Sequence, residues 1–148
     1  MEQEILDSPE KSDLQPAYAG FWLRFVAYLI DGLVLSIPSL LIYQTIGGGL
    51  IQPNPLAQTL VAVIGVSYFA FFESSEKQAT LGKQALGIIV TDLRGERISF
   101  AMAVGRYFSK IISALILLIG FIMAGFTEKK QALHDMIAGT LVIKKKNY

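Results

Sequence analysis

Arg24 and Asp31 lie seven residues apart inside one apolar run, Phe21-Trp22-Leu23-Arg24-Phe25-Val26-Ala27-Tyr28-Leu29-Ile30-Asp31. Seven residues are two helical turns, so both side chains fall on one face. The run continues to Ile46 and is long enough to cross a bilayer. Asp31 is ten residues in, roughly 15 Å along a helix axis and so near mid-membrane. A carboxylate there costs several kcal/mol unless it finds a cation, a proton or water. The chemistry this suggests is exchange of a proton for a small monovalent cation. A desolvated carboxyl holds its proton, and a nearby cation releases it. The structural alternative is a fixed ion pair with Arg106, Lys110 or Arg24.

Two other groups invite the same question. Arg106, Lys110 and Ser113, with Ser109, share one face of a later apolar segment at helical spacing. They form a polar stripe that either lines a path or rests against lipid headgroups. Asp135 follows the single histidine, His134, and is the natural partner of Arg24 if the C-terminal end folds back, which would make that pair a latch. Adjacent residues on a helix diverge by about 100°, which argues against a catalytic His-Asp pair. No nucleophile motif accompanies them. One histidine and no cysteine exclude a multi-histidine or thiolate metal site and disulfides. The expectation is therefore no catalytic residue, no metal and no cofactor. Thr80-Leu81-Gly82-Lys83 lacks the first glycine and the terminal hydroxyl of a phosphate loop and reads as a turn beside the membrane.

The elements that must hold these residues follow from composition and breakers. The 148 residues are 53% hydrophobic and only 17% charged, with mean hydropathy +0.49, too apolar for an ordinary soluble domain. A net charge of +1 gives no reason to expect nucleic acid. Residues 1–16 are polar and acidic and read as a disordered tail ahead of one membrane domain, 17–148. Their acids also argue against a signal peptide. A first helix from about Tyr18 to about Ile46, with Pro38 as a kink site, is followed by a breaker-rich loop, Gly47 to Pro55. A second apolar run, Leu56 to Phe72, makes a two-helix transmembrane hairpin with the first.

Leu86–Thr91 and Arg97–Phe100, around a turn at Asp92-Leu93-Arg94-Gly95, read as a small cytoplasmic β-hairpin. Thr140–Ile143 is a matching strand that could pair with it. The third hydrophobic segment runs from about Phe100 to Phe126, and a short helix from Glu128 to Ala138 is capped by Thr127 and closed by Gly139. Lys77, Lys83, Arg94 and Arg97 place residues 73–99 in the cytoplasm, and the lysine-free first loop outside. The C-terminal lysines also favour the cytoplasm, and 22 residues between Arg106 and Lys129 are too few for two crossings. The third segment is thus re-entrant, turning near Gly120, or a plain third span. The class is an all-α membrane protein with a small β element.

The ordered set Ala19-Gly20-Phe21-Trp22-Leu23-Arg24, Asp31; Gly82-Lys83, Gly87, Val90, Asp92, Gly95, Arg106; and His134-Asp135 with Gly139-Thr140-Leu141-Val142 resembles the RDD family of small, mainly prokaryotic membrane proteins. The resemblance covers about residues 17 to 145. It implies that Arg24, Asp31 and Asp135 are the name-giving residues. It also implies a multi-pass protein of the plasma (inner) membrane with a transport role, cation/proton antiport in some members. Two functions follow. One is a transporter or transporter subunit exchanging a proton or monovalent cation through Asp31, in a homo-oligomer or with a membrane-protein partner, since two or three helices enclose no pathway. The other is a non-transporting scaffold or regulatory subunit that binds a partner through the β-hairpin.

Overall fold

The computed structural model describes residues 17–46, 54–115 and 122–145. The acidic tail, most of the first loop, the turn expected near Gly120 and Lys146 lie outside them. Helix α1 spans Phe21–Thr45, passes through Pro38 and ends where the glycine run begins. It buries Arg24, Ala27 and Asp31 and exposes Leu29, Leu33, Ile37 and Leu41. Two charges inside and leucines outside invert the soluble pattern. Apolar solvent around α1 is the condition under which that distribution is stable.

Helix α2 spans Pro55–Ser74. Asn54 caps it by accepting from the amides of Leu56 and Ala57 at 2.9 and 3.3 Å, with Pro55 in the first turn, where its missing N–H costs nothing. The Asn54 amide also donates to the Ile46 carbonyl at 2.9 Å. At the other end Tyr68 reaches Asp31, so the two helices are antiparallel. Their 25 and 20 residues give about 37 and 30 Å, against a hydrocarbon core of about 30 Å. Both are apolar enough to cross a membrane.

Thr80 caps a short helix α3, Leu81–Ala85, which lies on α1. The fit requires glycine at position 82, because a Cβ there would stand 2.1 Å from the Ala27 carbonyl oxygen. Strand β1, Ile88–Asp92, follows. The expected hairpin is not formed. Asp92 instead accepts the amides of Arg94 and Glu96, both at 2.8 Å, and closes a tight loop. Ile98 is buried, and Ser99 accepts the Met102 amide at 3.2 Å to start helix α4, Phe100–Leu115. The strand opposite β1 is β2, Thr140–Lys144, antiparallel, from Ile88↔Lys144 to Asp92↔Thr140. Residues 17–19 extend β2's other edge: Tyr18 bridges Ile143, and Ala19 donates to the Val142 carbonyl at 2.8 Å. Ala19, Ile88, Val90, Ile98 and Val142 form the core beneath, with Ala27, Ala70 and Ala103.

The expected helix from Glu128 is shorter. The Thr127 hydroxyl accepts the Gln131 amide at 2.7 Å, closing a turn, and helix α5 runs Leu133–Ala138. Gly139, at φ +62°, ends it as expected. Beyond residues 116–121 the chain lies again beside α1, with Ile122 against Phe21, Arg24, Phe25 and Tyr28.

Candidate functional site

Where the inner ends of α1, α2 and α4 meet α5, charged side chains converge away from solvent. Asp135 is completely buried. Its Oδ2 takes Nη1 of Arg24 and the Ala132 amide at 3.0 Å. Its Oδ1 lies 2.8 Å from Nη2 of Arg106 and 3.4 Å from Nε2 of His134. Arg24 also donates to the carbonyls of Ala19 at 2.9 Å and Lys130 at 2.6 Å. Arg106 donates to the Thr140 hydroxyl at 2.8 Å. The latch expected between Arg24 and Asp135 is thus present, and Arg106 is its third member.

Glu73, 1% exposed, is a second centre. Its Oε1 takes Nζ of Lys83 and lies 3.7 Å from Nζ of Lys110, while Oε2 is 3.3 Å from Nε of Arg106. Lys110 makes no hydrogen bond through Nζ among the described residues. It sits instead over the ring of Phe69 at 4.2 Å, beside Tyr28 at 5.1 Å and Tyr107 at 5.7 Å. Such contacts contribute about 2 kcal/mol to a desolvated cation. The stripe Arg106–Lys110–Ser113 therefore faces protein, not headgroups. The Ser113 hydroxyl lies 3.5 Å from Nδ1 of His134.

Asp31 stands apart from these ion pairs. It is 1% exposed, yet no described cation pairs with it. Oδ1 accepts the Tyr68 hydroxyl and the Gly82 amide, each at 2.8 Å, and Oδ2 accepts the Thr80 hydroxyl at 2.7 Å. The ion pair expected with Arg24, Arg106 or Lys110 is absent because Asp135 and Glu73 hold those cations. Asp31 is also not set in bare hydrocarbon: α3 covers it.

Sequence reasoning missed Glu73 and Lys83. Glu73 directly follows the run Leu56–Phe72, and α2 extends two residues beyond that run with the acid buried. Lys83 belonged to a segment read as a turn and is fully inside. The divergence expected of His134 and Asp135 also fails, because Asp135 folds back towards the Ala132 amide and so passes the imidazole. Among the described residues no cluster fit to hold a metal ion occurs.

Burial pushes the Asp135 carboxyl up, but Arg106 and then Arg24 override it and hold it well below the usual carboxylate range. Burial lowers His134 to about 3, against the pull of Asp135. Breaking a buried ion pair from one side typically costs about 3–5 kcal/mol. Arg24→Ala and Asp135→Ala should each destabilise the protein by about that much in detergent. The double variant should lose less than the sum, and additivity within about 0.5 kcal/mol would reject the coupling.

A pH dependence also follows. His134 has an ordinary value of 6.5 and about 3 in the fold, so between these the unfolded chain binds more protons. Stability must fall as pH drops through that window. Asp135 works at lower pH: its contribution is fully present above its unfolded value of 3.8 and is lost only below it. Unfolding midpoints between pH 6.5 and 4.5 should therefore fall in the native chain and fall less in His134→Gln. Equal slopes would contradict a buried neutral imidazole.

Comparison with known proteins agrees with this architecture. The RDD family profile matches residues 18–139. The chain is 40% identical to the uncharacterized protein YxaI of Bacillus subtilis, over 86% of this chain and 97% of that one. It is 31% identical to the uncharacterized membrane protein YteJ of the same organism, over 100% of this chain and 94% of that one. It is 29% identical to a proline-rich antigen homolog of Mycobacterium tuberculosis, over 60% of this chain and 38% of that protein. No solved structure matches it. With the profile matched over most of the chain and a relative 40% identical, this chain belongs to the RDD family.

Proposed function

We propose that this chain is a multi-pass protein of the plasma membrane that serves as a subunit of a proton/monovalent-cation exchanger, with Asp31 as the exchanging group. The observation that carries this is the shell of Asp31: two hydroxyls and one amide, and no described cation. Protonating Glu73 would strand Lys83, Lys110 and Arg106. Protonating Asp135 would strand Arg24 and Arg106. Protonating Asp31 strands no described cation. The hydroxyls of Tyr68 and Thr80 can rotate from donor to acceptor and serve the neutral acid equally well. Of the three acids buried among the described residues it is the one whose change of charge strands no described cation. Two membrane-length helices enclose no path, so the exchanging unit is an oligomer or a complex with another membrane protein.

In this reading the sheet end faces the cytoplasm. Lys77 and Lys145 line one cleft beside β1 and Lys130 and Lys144 line another beside β2, while residues 46–55 carry no lysine or arginine. The pairing of β2 with β1 supports a third segment that enters and returns. Single cysteines at Ile46 and Lys77 should label from opposite sides with an impermeant thiol reagent, and one at Lys145 from the side of Lys77. Lys145 labelling with Ile46 would overturn the return.

A second reading, a non-transporting scaffold, is favoured by the close fit of Gly82 against Ala27 and Asp31. There Asp31 is a clamp for α3. Proteoliposomes separate the two. Exchange predicts that the native chain acidifies or alkalinises the lumen under a Na⁺, K⁺ or Li⁺ gradient, and that Asp31→Asn, nearly the same in shape, loses this response while keeping its unfolding midpoint. An Asp31→Asn variant that is active removes Asp31 exchange, and so does a silent native chain reconstituted together with the membrane proteins that co-purify with it. An inactive and strongly destabilised variant would support the clamp instead.

A further inference from the structure

A groove of about 700 Å³ opens beside the start of α1, floored by Phe21, Trp22, Ile122 and Phe126, with Lys130 and Lys144 at its edge. No acid lines it. Trp22 is 73% exposed and Phe126 86%, aromatic surface suited to a membrane interface. The groove shares Phe21 and Ile122 with an apolar chamber of about 260 Å³ that reaches in to Phe25 and Tyr28. Basic edge, aromatic floor and apolar chamber are therefore neighbours that share the walls Phe21 and Ile122.

Lys130 is held there deliberately. Its backbone takes the left-handed region at φ 47°, a conformation a long side chain rarely adopts. Two hydrogen bonds enforce it: the Lys130 amide donates to the Thr127 carbonyl at 2.9 Å, and Arg24 donates to the Lys130 carbonyl. The result lays the Lys130 side chain along Gly20, where a Cβ would stand 3.9 Å from Nζ. Lys144 comes from β2, whose amide there donates to the Ala17 carbonyl at 2.8 Å. The latch that fixes Arg24 thus also fixes one wall of the groove.

We propose that this groove is a specific site for an anionic phospholipid, its phosphate between Lys130 and Lys144 and one acyl chain over Trp22 and Phe21 into the chamber. Two exposed lysines, with no acid among the described lining residues, select for negative charge. The aromatic floor and chamber select for a chain, which a soluble phosphate lacks. This rests on the chain lying in a bilayer but not on exchange at Asp31.

The protein has one tryptophan, and it lies in the groove, so its fluorescence reports occupancy directly. The full chain in nanodiscs would be titrated with phosphatidylglycerol carrying brominated acyl chains and, separately, with brominated phosphatidylcholine. A lysine near a membrane surface contributes about fivefold to anionic lipid affinity. Phosphatidylglycerol should therefore quench Trp22 at a mole fraction about tenfold or more below that for phosphatidylcholine. Lys130→Gln with Lys144→Gln should erase the preference, leave quenching by phosphatidylcholine and the unfolding midpoint unchanged, and Lys77→Gln should keep it. Equal quenching by both lipids in the native chain overturns the proposal. Displacement of phosphatidylglycerol by millimolar inorganic phosphate overturns the lipid as occupant. Absence of quenching by either lipid overturns the membrane placement as well, which tells that failure apart from loss of selectivity alone.

Discussion

The constraint on which the rest depends is the burial of Asp135. A carboxylate removed from water loses several kcal/mol of hydration and regains it only from well-aligned donors and cations. Arg24 and Arg106 supply these from two different helices, and the Ala132 amide supplies a third contact from the start of α5. One side chain therefore fixes the relative placement of α1, α4 and α5. It also fixes β2, because Arg106 holds Thr140 at the strand's first residue. Neither arginine is free to leave, since each would carry an unpaired charge into an apolar surround.

Glu73 and Asp31 solve the same problem in opposite ways. Glu73 gathers three cations, so the cluster of Arg24, Lys83, Arg106 and Lys110 against Glu73 and Asp135 carries a surplus of positive charge. The aromatic rings around Lys110 stabilise part of that surplus. Asp31 is satisfied by neutral dipoles. Ion pairs hold Asp135 and Glu73, whereas neutral donors from α2 and from the segment that opens α3 hold Asp31.

The helical frame was legible because long apolar runs and glycine or proline breakers act locally. The extents of α1 and α2 to within about three residues, the Gly139 stop and the match of Thr140–Ile143 to the segment after Leu86 all follow from such signals. The Arg24–Asp135 latch was legible from one buried cation seeking a partner. What failed depended on tertiary context. Arg97–Phe100 alternates like a strand, yet Asp92 and Ser99 close a loop and open a helix there. Thr127 looks like a helix cap but closes a turn on Gln131. Asp31 stands out as a lone acid inside an apolar run, while Glu73 lies just past the end of its run and carries no such signal. Which cation meets which acid is decided by helix rotation, and periodicity alone does not fix that.

The polar interior also explains why α3, irregular in its approach, can pack against a membrane-length helix. Backbone that leaves a regular helix brings unsatisfied amides, which hydrocarbon excludes. Here the Gly82 amide donates to Asp31 and the Leu81 amide to the Tyr68 hydroxyl at 3.1 Å. The missing Cβ of Gly82 lets the chain approach Ala27 closely enough for this, the small-residue contact on which helices in lipid rely. Asp31 thus performs a backbone task and remains without an ion pair. α3 leads directly into β1 and the sheet, so the carboxylate that admits α3 to the helical layer also helps to set where the sheet begins.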